Sequence, residues 1–417
     1  MLQTSQLQID LSAIAHNLKV LRQMVGPAVG LCPILKADAY GLGAAGVVRQ
    51  LIESGADMLA VYTLHEATSL AELSTNLPVL VLMPVRDLEI SEGLYRLLIN
   101  GRLHLTLHDF EQLRCVAADA QRLGLIVPVH LEIDTGMSRG GCALCETGSM
   151  LRQISESPGL RLAGLMTHFA TADNDVDFAR DQLDQFNAII ARWASLIPDS
   201  CIIHAANSSA TLRGEAFHKS MVRIGLAWAG YGSEQLVGGP VVPQAAQLCP
   251  SLTWASQLVH LKAIEPGTPV GYGSAWHANR RSVIGLVPVG YADGYPVGIG
   301  AVDARQHGAV VGIPLRSGSG CCPVFAPVIG AINMDQIMVD LTDVHVSIES
   351  GQIGVGTPVE LISPDANAPN YLPRLAKLAG TIPYDLICRL NPRIPRSYTQ
   401  TAGRLQAAAP AAALGVG

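Results

Sequence analysis

Between residues 31 and 228, short apolar runs alternate with stretches of helical period, and this alternation restricts the fold more than any other feature of the chain. The eight runs are Leu31–Leu35, Met58–Tyr62, Pro78–Met83, Leu103–Leu107, Val127–Ile133, Leu162–Thr167, Cys201–Ala205 and Met221–Ala227. They are rich in Val, Ile and Leu, the texture of parallel strands covered on both faces. Each but the last is followed by enough residues for a crossover helix. In Asp173–Trp193, for example, Phe178, Leu183, Phe186 and Ile189/Ile190 recur at helical spacing and are expected to share one face. Eight such units suggest closure into a barrel. The expected class is α/β: a (β/α)8 TIM-type barrel followed by a mostly β C-terminal domain.

The β domain is read from a change of texture beyond Gly230. A Gly/Pro-rich stretch through Gly238-Gly239-Pro240 marks a boundary, and the helical period is lost there. Short alternating segments follow, Ser282–Val289, Gln336–Leu341 and Pro358–Ile362, as half-buried antiparallel strands require. The expected domains are residues 1–240 for the barrel and 241–400 for the β domain, with an alternating segment at residues 5–10 able to join the latter. Residues 401–417, Ala-rich, are expected to be a disordered tail.

At 417 residues the chain exceeds what one hydrophobic core usually serves, in keeping with two domains. Hydrophobic residues make up 49% and charged ones 15%, which argues against disorder. A net charge of -6 without a Lys/Arg-rich block gives no electrostatic reason to bind nucleic acid or anionic lipid. No apolar run is long enough to span a bilayer and no secretory signal opens the sequence, so a cytoplasmic protein acting on a small molecule is expected. Nine cysteines, an odd number and mostly scattered along the chain, support neither a disulfide framework nor a zinc site.

Barrel enzymes carry their chemistry where strands end. The first run ends at Lys36, and loss of hydration there would lower the amine's pKa toward what Schiff-base chemistry needs. The fifth run leads through Glu132 to Arg139, the sixth to His168, the seventh to Asn207 and Ser208, and the eighth through Arg223 to Gly225. A hydroxyl and exposed amides near Ser208 and Gly225 would suit the phosphate position many barrels use. Singly, each of these residues has a bland reading as a surface ion pair, a satisfied core histidine or a helix cap.

Taken together they are specific. Lys36-Ala37-Asp38-Ala39-Tyr40-Gly41, Asp134-Thr135-Gly136-Met137, His168-Phe169-Ala170 and Ala206-Asn207-Ser208 resemble the alanine racemase family. So do Val270-Gly271-Tyr272-Gly273, Val289-Gly290-Tyr291-Ala292-Asp293-Gly294, Asn333-Met334-Asp335-Gln336 and Thr381-Ile382-Pro383-Tyr384-Asp385, in the family's order. The resemblance runs from about residue 6 to residue 398.

The resemblance implies a racemase that interconverts L- and D-alanine on pyridoxal 5'-phosphate, supplying D-alanine for peptidoglycan precursors. Lys36 would bond the cofactor's aldehyde carbon, with Tyr40, Asn207, Ser208, Gly225, the Leu226 amide and Tyr384 around its phosphate. Arg223 would lie against the pyridine nitrogen and Arg139 against the phenolic oxygen. Lys36 and Tyr272 would be opposed bases, with His168 bonded to the phenol. The Met334 backbone and Arg139 would hold the substrate, supported by Asp335. In the family Tyr272 and Met334 reach the other subunit, which implies a head-to-tail homodimer.

Some positions depart from the family pattern. Glu132 stands where many members carry a lysine that becomes carbamylated, and its carboxylate is expected to orient Arg139. Leu42, Asn333 and Val297 replace a common histidine, cysteine and arginine near the site. A racemase of serine or a broader set of amino acids therefore stays open beside alanine, as do a non-catalytic pyridoxal phosphate carrier and a decarboxylase.

Overall fold

The computed structural model describes residues 4–400 except 74–75, 89–90, 302–307, 318–319, 345–346 and 348–349; the side chains of 316–317 and 320–322 are also left undescribed. The chain divides into two units. One comprises residues 12–39 and 43–249, the other residues 4–11, 40–42 and 250–400. The division between them in the second half of the chain falls after Cys249, later than the glycine stretch at 238–240 suggests.

A first strand, β1 (Ser5–Asp10), belongs to the second unit. The first unit is the barrel. Its strands are β2 (Gly30–Pro33), β3 (Leu59–Val61), β4 (Val79–Val81), β5 (Leu103–Leu107), β6 (Val127–Glu132), β7 (Leu160–Met166), β8 (Ile202–His204) and β9 (Met221–Ile224). All eight apolar runs become strands of one parallel sheet in the order β2-β9-β8-β7-β6-β5-β4-β3. A parallel bridge between Ile34 and Ala60, with the Leu35 amide donating to the Ala60 carbonyl at 2.7 Å, joins the two ends of the order. Every residue of β5 and β6 is buried, which explains why these strands read as continuous apolar runs.

The crossover helices carry the expected caps. Thr63 forms a capping box with Glu66, and Asp109 caps the helix Phe110–Leu123, which ends on left-handed Gly124. The helix read from Asp173 starts at Val176, because the Asp175 carboxylate accepts the Phe178 amide and fixes the first turn there. One expectation fails on this helix. Phe178 is 37% exposed, and its inward face is made by Ala179, Gln182, Leu183, Phe186 and Ile189. Phe178 stands about 140° around the helix from Leu183 and so only at the edge of the stripe, and Gln182 takes a buried position that hydrophobicity alone assigns to an apolar residue.

The second unit is built on a nine-stranded sheet. Its further strands are β10 (Leu252–Gln257), β11 (His260–Ile264), β14 (Ser282–Val287), β15 (Val310–Ser317), β16 (Gly320–Ile329), β17 (Ile337–Asp340), β18 (Pro358–Ile362) and β19 (Arg396–Thr399), with β12 (Pro269–Val270) and β13 (Trp276–His277) paired apart. β1 lies antiparallel to β10 and parallel to β19. Trp254 of β10 and Tyr295, both buried, pack edge to face with ring centroids 5.8 Å apart.

Among the described residues no helix is long and apolar enough to cross a membrane, and no group of His, Cys, Asp and Glu is arranged to hold a metal ion. The Ala-rich tail lies outside the described residues, as do the side chains of Cys321 and Cys322.

Candidate active site

Lys36 lies just beyond the end of β2 and begins an unusual turn. Ala37, Asp38, Ala39 and Tyr40 all have left-handed backbones, with φ of 52°, 52°, 57° and 56°. For residues with a Cβ this costs about 1–2 kcal/mol each. The compensation is local. Glu66 accepts the Ala37 amide at 2.7 Å on one oxygen and the Tyr62 and Thr63 amides on the other. The Asp38 carboxylate accepts the Ala44 amide at 2.7 Å, and its carbonyl accepts the Gly43 amide. The turn fixes where the backbone leaves Lys36, and Glu66 is a supporting residue that the sequence alone does not reveal.

Arg223 sits on β9, 3% exposed, and its guanidinium meets only neutral acceptors in its hydrogen bonds. Nη1 donates to His204 Nδ1 at 2.9 Å and to the His204 carbonyl at 3.2 Å. Nη2 donates to the carbonyls of Thr167 and Ala205 and to His168 Nδ1 at 3.1 Å. Burial pulls the guanidinium's pKa down to about 10, against the opposing pull of the Glu132 carboxylate, so it stays charged at neutral pH. A guanidinium has no acceptor, so the Nδ1 atom of His168 must be bare and its ring proton lies on Nε2. Burial, and then the positive charges of Arg223, Arg139 and Lys36, hold His168 well below the ordinary histidine range. These interactions gather Lys36, Arg139, His168 and Arg223 at the C-terminal ends of the barrel strands, where the sequence places them.

After the seventh and eighth strands, the Ser208 hydroxyl accepts the Gly225 amide at 2.8 Å and the Ala227 amide at 3.4 Å. The hydroxyl thus occupies two amides that could instead face an anion. Asn207 has a structural role, since its side chain accepts the Ala210 amide and caps the helix Ser208–Arg213. Leu226 opens the 3-10 turn Leu226–Ala229 and is fully buried.

Arg139 is exposed on the loop after β6, whose path is set by Asp134 accepting the Gly136 and Ser138 amides. Glu132, 7% exposed, lies 3.5 Å from His108 Nδ1. That nitrogen also accepts the Gly141 amide at 3.0 Å. Among the described residues no hydrogen bond or ion pair joins Glu132 to Arg139.

The second unit holds the remaining candidates. Tyr40 is buried, and its ring meets that of Tyr384 edge to face at 5.4 Å. Burial, with Tyr384 adding to it, raises the Tyr40 phenol well above its usual pKa. Gly41, φ +77°, lies so close to the Ile387 carbonyl that a Cβ would come within 2.7 Å of its oxygen. Arg396 donates to the Gly41 carbonyl and the Tyr398 hydroxyl to the Leu42 carbonyl. Tyr272 begins a turn flanked by left-handed Gly271 and Gly273 and is 75% exposed; Met334 is 54% exposed. The Met334 carbonyl accepts the Ala292 amide. Arg393 bridges Asp293 and Asp335 at 2.8 Å each, so Asp335 supports the loop and Arg393 joins the set.

Known proteins carry the same two domains in the same order along the chain. Residues 9–233 match the alanine racemase N-terminal domain and residues 251–398 the alanine racemase C-terminal domain. The alanine racemase of a Synechocystis strain is 35% identical over 398 residues, covering 94% of this chain and 98% of the relative. The crystal structure of alanine racemase from D-cycloserine-producing Streptomyces lavendulae has a TM-score of 0.80 at 27% identity, covering 97% of this chain and 100% of that one. The enzyme from Bartonella henselae, with covalently bound pyridoxal phosphate, has a TM-score of 0.77 at 25% identity, covering 95% and 99%. With both domains matched, in order and over nearly their full length, the chain belongs to the alanine racemase family.

Proposed function

We propose that the protein interconverts L- and D-alanine with pyridoxal 5'-phosphate, using Lys36 and Tyr272 as bases on opposite faces of the substrate's Cα. The observation that carries the reading is Arg223, a buried guanidinium bonded to His204 and to His168, a ring that also feels the charges of Arg139 and Lys36. The family is one of pyridoxal-phosphate-dependent racemases, and the donor set fits that cofactor. Lys36 supplies the amine for its aldehyde, the Gly225 and Ala227 amides with the Ser208 hydroxyl suit its phosphate, and Arg139 suits its phenolic oxygen. By likeness to the family, Asn207, Leu226, Tyr40 and Tyr384 would also belong to the phosphate-binding set.

When bound, pyridoxal phosphate draws electron density from Cα and makes its proton acidic enough for a side chain to take. Arg223 would moderate this at the pyridine nitrogen, because a guanidinium can donate a hydrogen bond there without readily giving up its proton. A cofactor held in this way would be a weaker electron sink, which would favour return of the proton to Cα over transamination. Lys36 takes or returns the proton on the D face, and Tyr272 of the partner subunit on the L face. His168, with its proton on Nε2, would donate that proton toward the phenol. The Met334 backbone and Arg139 hold the substrate carboxylate, and Asp335 steadies the Met334 loop through Arg393. Glu132 contributes its carboxylate to the field at Arg223. The exposure of Tyr272 and Met334 supports a head-to-tail homodimer in which each subunit completes its partner's site.

Purified protein with pyridoxal phosphate is offered each L-amino acid in turn, and the enantiomers are resolved by chiral chromatography. D-alanine is expected first and fastest, and is expected to vanish in Lys36→Ala and in Tyr272→Phe. Mixing the two inactive variants restores activity, because a mixed dimer holds one intact site. Preferential inversion of serine would rename the enzyme, release of CO2 would make it a decarboxylase, and no turnover with cofactor bound would make it a carrier.

A further inference from the structure

The barrel interior holds three histidines that the reaction does not use. Behind Arg223, His204 Nε2 lies 2.8 Å from His130 Nδ1, and His130 Nε2 lies 2.8 Å from His104 Nδ1. The ring centroids are 5.0 and 5.1 Å apart, and the Gly101 backbone hydrogen-bonds His104 at the far end. The three rings come from β8, β6 and β5 and are buried at 0%, 0% and 6% exposure.

The direction of this chain follows from its first member. Arg223 can only donate, so His204 Nδ1 accepts and the His204 proton is on Nε2. That proton points at His130 Nδ1, which must accept it, and the same step repeats to His104. Each ring is then neutral and carries its proton on Nε2. A barrel core is ordinarily filled with branched apolar side chains, and an apolar set of similar size would suit the fold as well.

The surroundings are shaped for the middle ring. Gly164 on β7 is the register partner of His130, and a Cβ there would stand 2.2 Å from His130 Nδ1. The β6–β7 register shifts between Val129 and His130, re-aiming the ring. Burial keeps all three rings well below the ordinary histidine range, with His104 brought down to about 4.

We infer that His204, His130 and His104 form a one-way hydrogen-bonded relay that positions Arg223: the rings act as a polarised acceptor for its buried charge and fix the plane of its guanidinium. Aligned hydrogen bonds strengthen one another in a low-dielectric interior, so His130 and His104 act on Arg223 through His204 without touching it. As positioning residues they influence the strength of Arg223's hydrogen bond toward the pyridine nitrogen. This role rests on the proposed racemase reading, whereas the tautomers themselves can be read without cofactor.

The test combines NMR with kinetics. In cofactor-free protein with 15N-labelled histidine, the three rings are expected as neutral Nε2–H tautomers from pH 8 to pH 5. In His130→Phe the His204 signal is expected to lose its fixed tautomer. In the loaded enzyme kcat for alanine is expected to fall about tenfold with KM within about twofold, as for other supporting-shell losses. His130→Gln, which can accept at Oε1 and donate from Nε2, is expected to recover most of kcat. If His130→Phe does not fold, His104→Phe carries the test, with an expected fall of about threefold. A proton on Nδ1 of any of the three rings in the wild type would overturn the relay. So would a folded His130→Phe or His104→Phe with unchanged kcat, KM and His204 signal, which would leave the rings a packing role alone. Intact tautomers in a protein that racemises nothing would reject the racemase reading and leave the relay standing.

Discussion

Nη2 of Arg223 donates to Nδ1 of His168 at 3.1 Å, so the residue proposed to face the cofactor also sets the tautomer of the residue proposed to face the partner's tyrosine. A lysine in place of Arg223 has one ammonium and cannot serve His204 and His168 in the same planar arrangement. Arg223→Lys is expected to lower kcat about 100-fold with a smaller effect on KM, measured by steady-state racemisation in both directions. An unchanged kcat would remove Arg223 from the mechanism.

Buried neutral histidines also make stability depend on pH. His104, His130, His168, His204 and His218 all have folded pKa values below the ordinary value near 6.5, chiefly through burial. Above that value neither the folded nor the unfolded state is protonated at these rings, and their contribution is fully present. As pH falls below it, the unfolded chain takes up protons that the folded chain refuses, and stability is lost. Each ring contributes up to about 1.4 kcal/mol per pH unit. Urea unfolding at pH 7.5, 6 and 5 is expected to show a steep decline, and His130→Phe to reduce its slope by close to one proton.

The loop carrying Tyr40 is constrained at Gly41, where left-handed backbone and the Ile387 carbonyl both oppose a side chain. Gly41→Ala is expected to destabilise the protein by roughly 2–4 kcal/mol and to weaken cofactor retention, read from a denaturant melt and from the cofactor's absorbance after dialysis. A melt like that of the wild type would show that the loop can rearrange cheaply.

Arg393 ties Asp293 and Asp335 together at a half-exposed position, so its worth to stability is small, about 1 kcal/mol or less. Its effect is expected in KM. Arg393→Ala should raise the KM for alanine several-fold with kcat largely kept, because the loop bearing Met334 loses its tether. A fall in kcat alone would point to a different role.

Much of the barrel and its rim was legible in the sequence because burial on both faces makes a parallel strand a continuous apolar run, and all eight runs became strands. The left-handed turn after Lys36 was not legible. Ala37, Asp38, Ala39 and Tyr40 contain no glycine to announce a positive φ, and the turn depends on Glu66, far along the chain. Phe178 misled for a different reason: its distance from Leu183 along the chain turns it about 140° around the helix, so it reaches only the edge of the buried face. His104, His130 and His204 gave no sign of one another, since each stands alone in an apolar run and their alignment exists only across the barrel. Arg393 and Asp335 lie far enough apart in sequence that only folding shows the ion pair.

The placement of β1 bears on the order in which the molecule can be finished. Its partners are β10 and β19, drawn from the middle and the far end of the chain. During synthesis the first strand must wait for residues 252–257, and its parallel neighbour arrives only with residues 396–399. The barrel's strands, by contrast, are complete by residue 224. A ribosome-bound chain can therefore close its barrel while an early segment, with its row of unpaired amides, is still seeking a sheet. That interval exposes a strand edge able to pair with the wrong chain, and it lengthens with every pause in translating the second half.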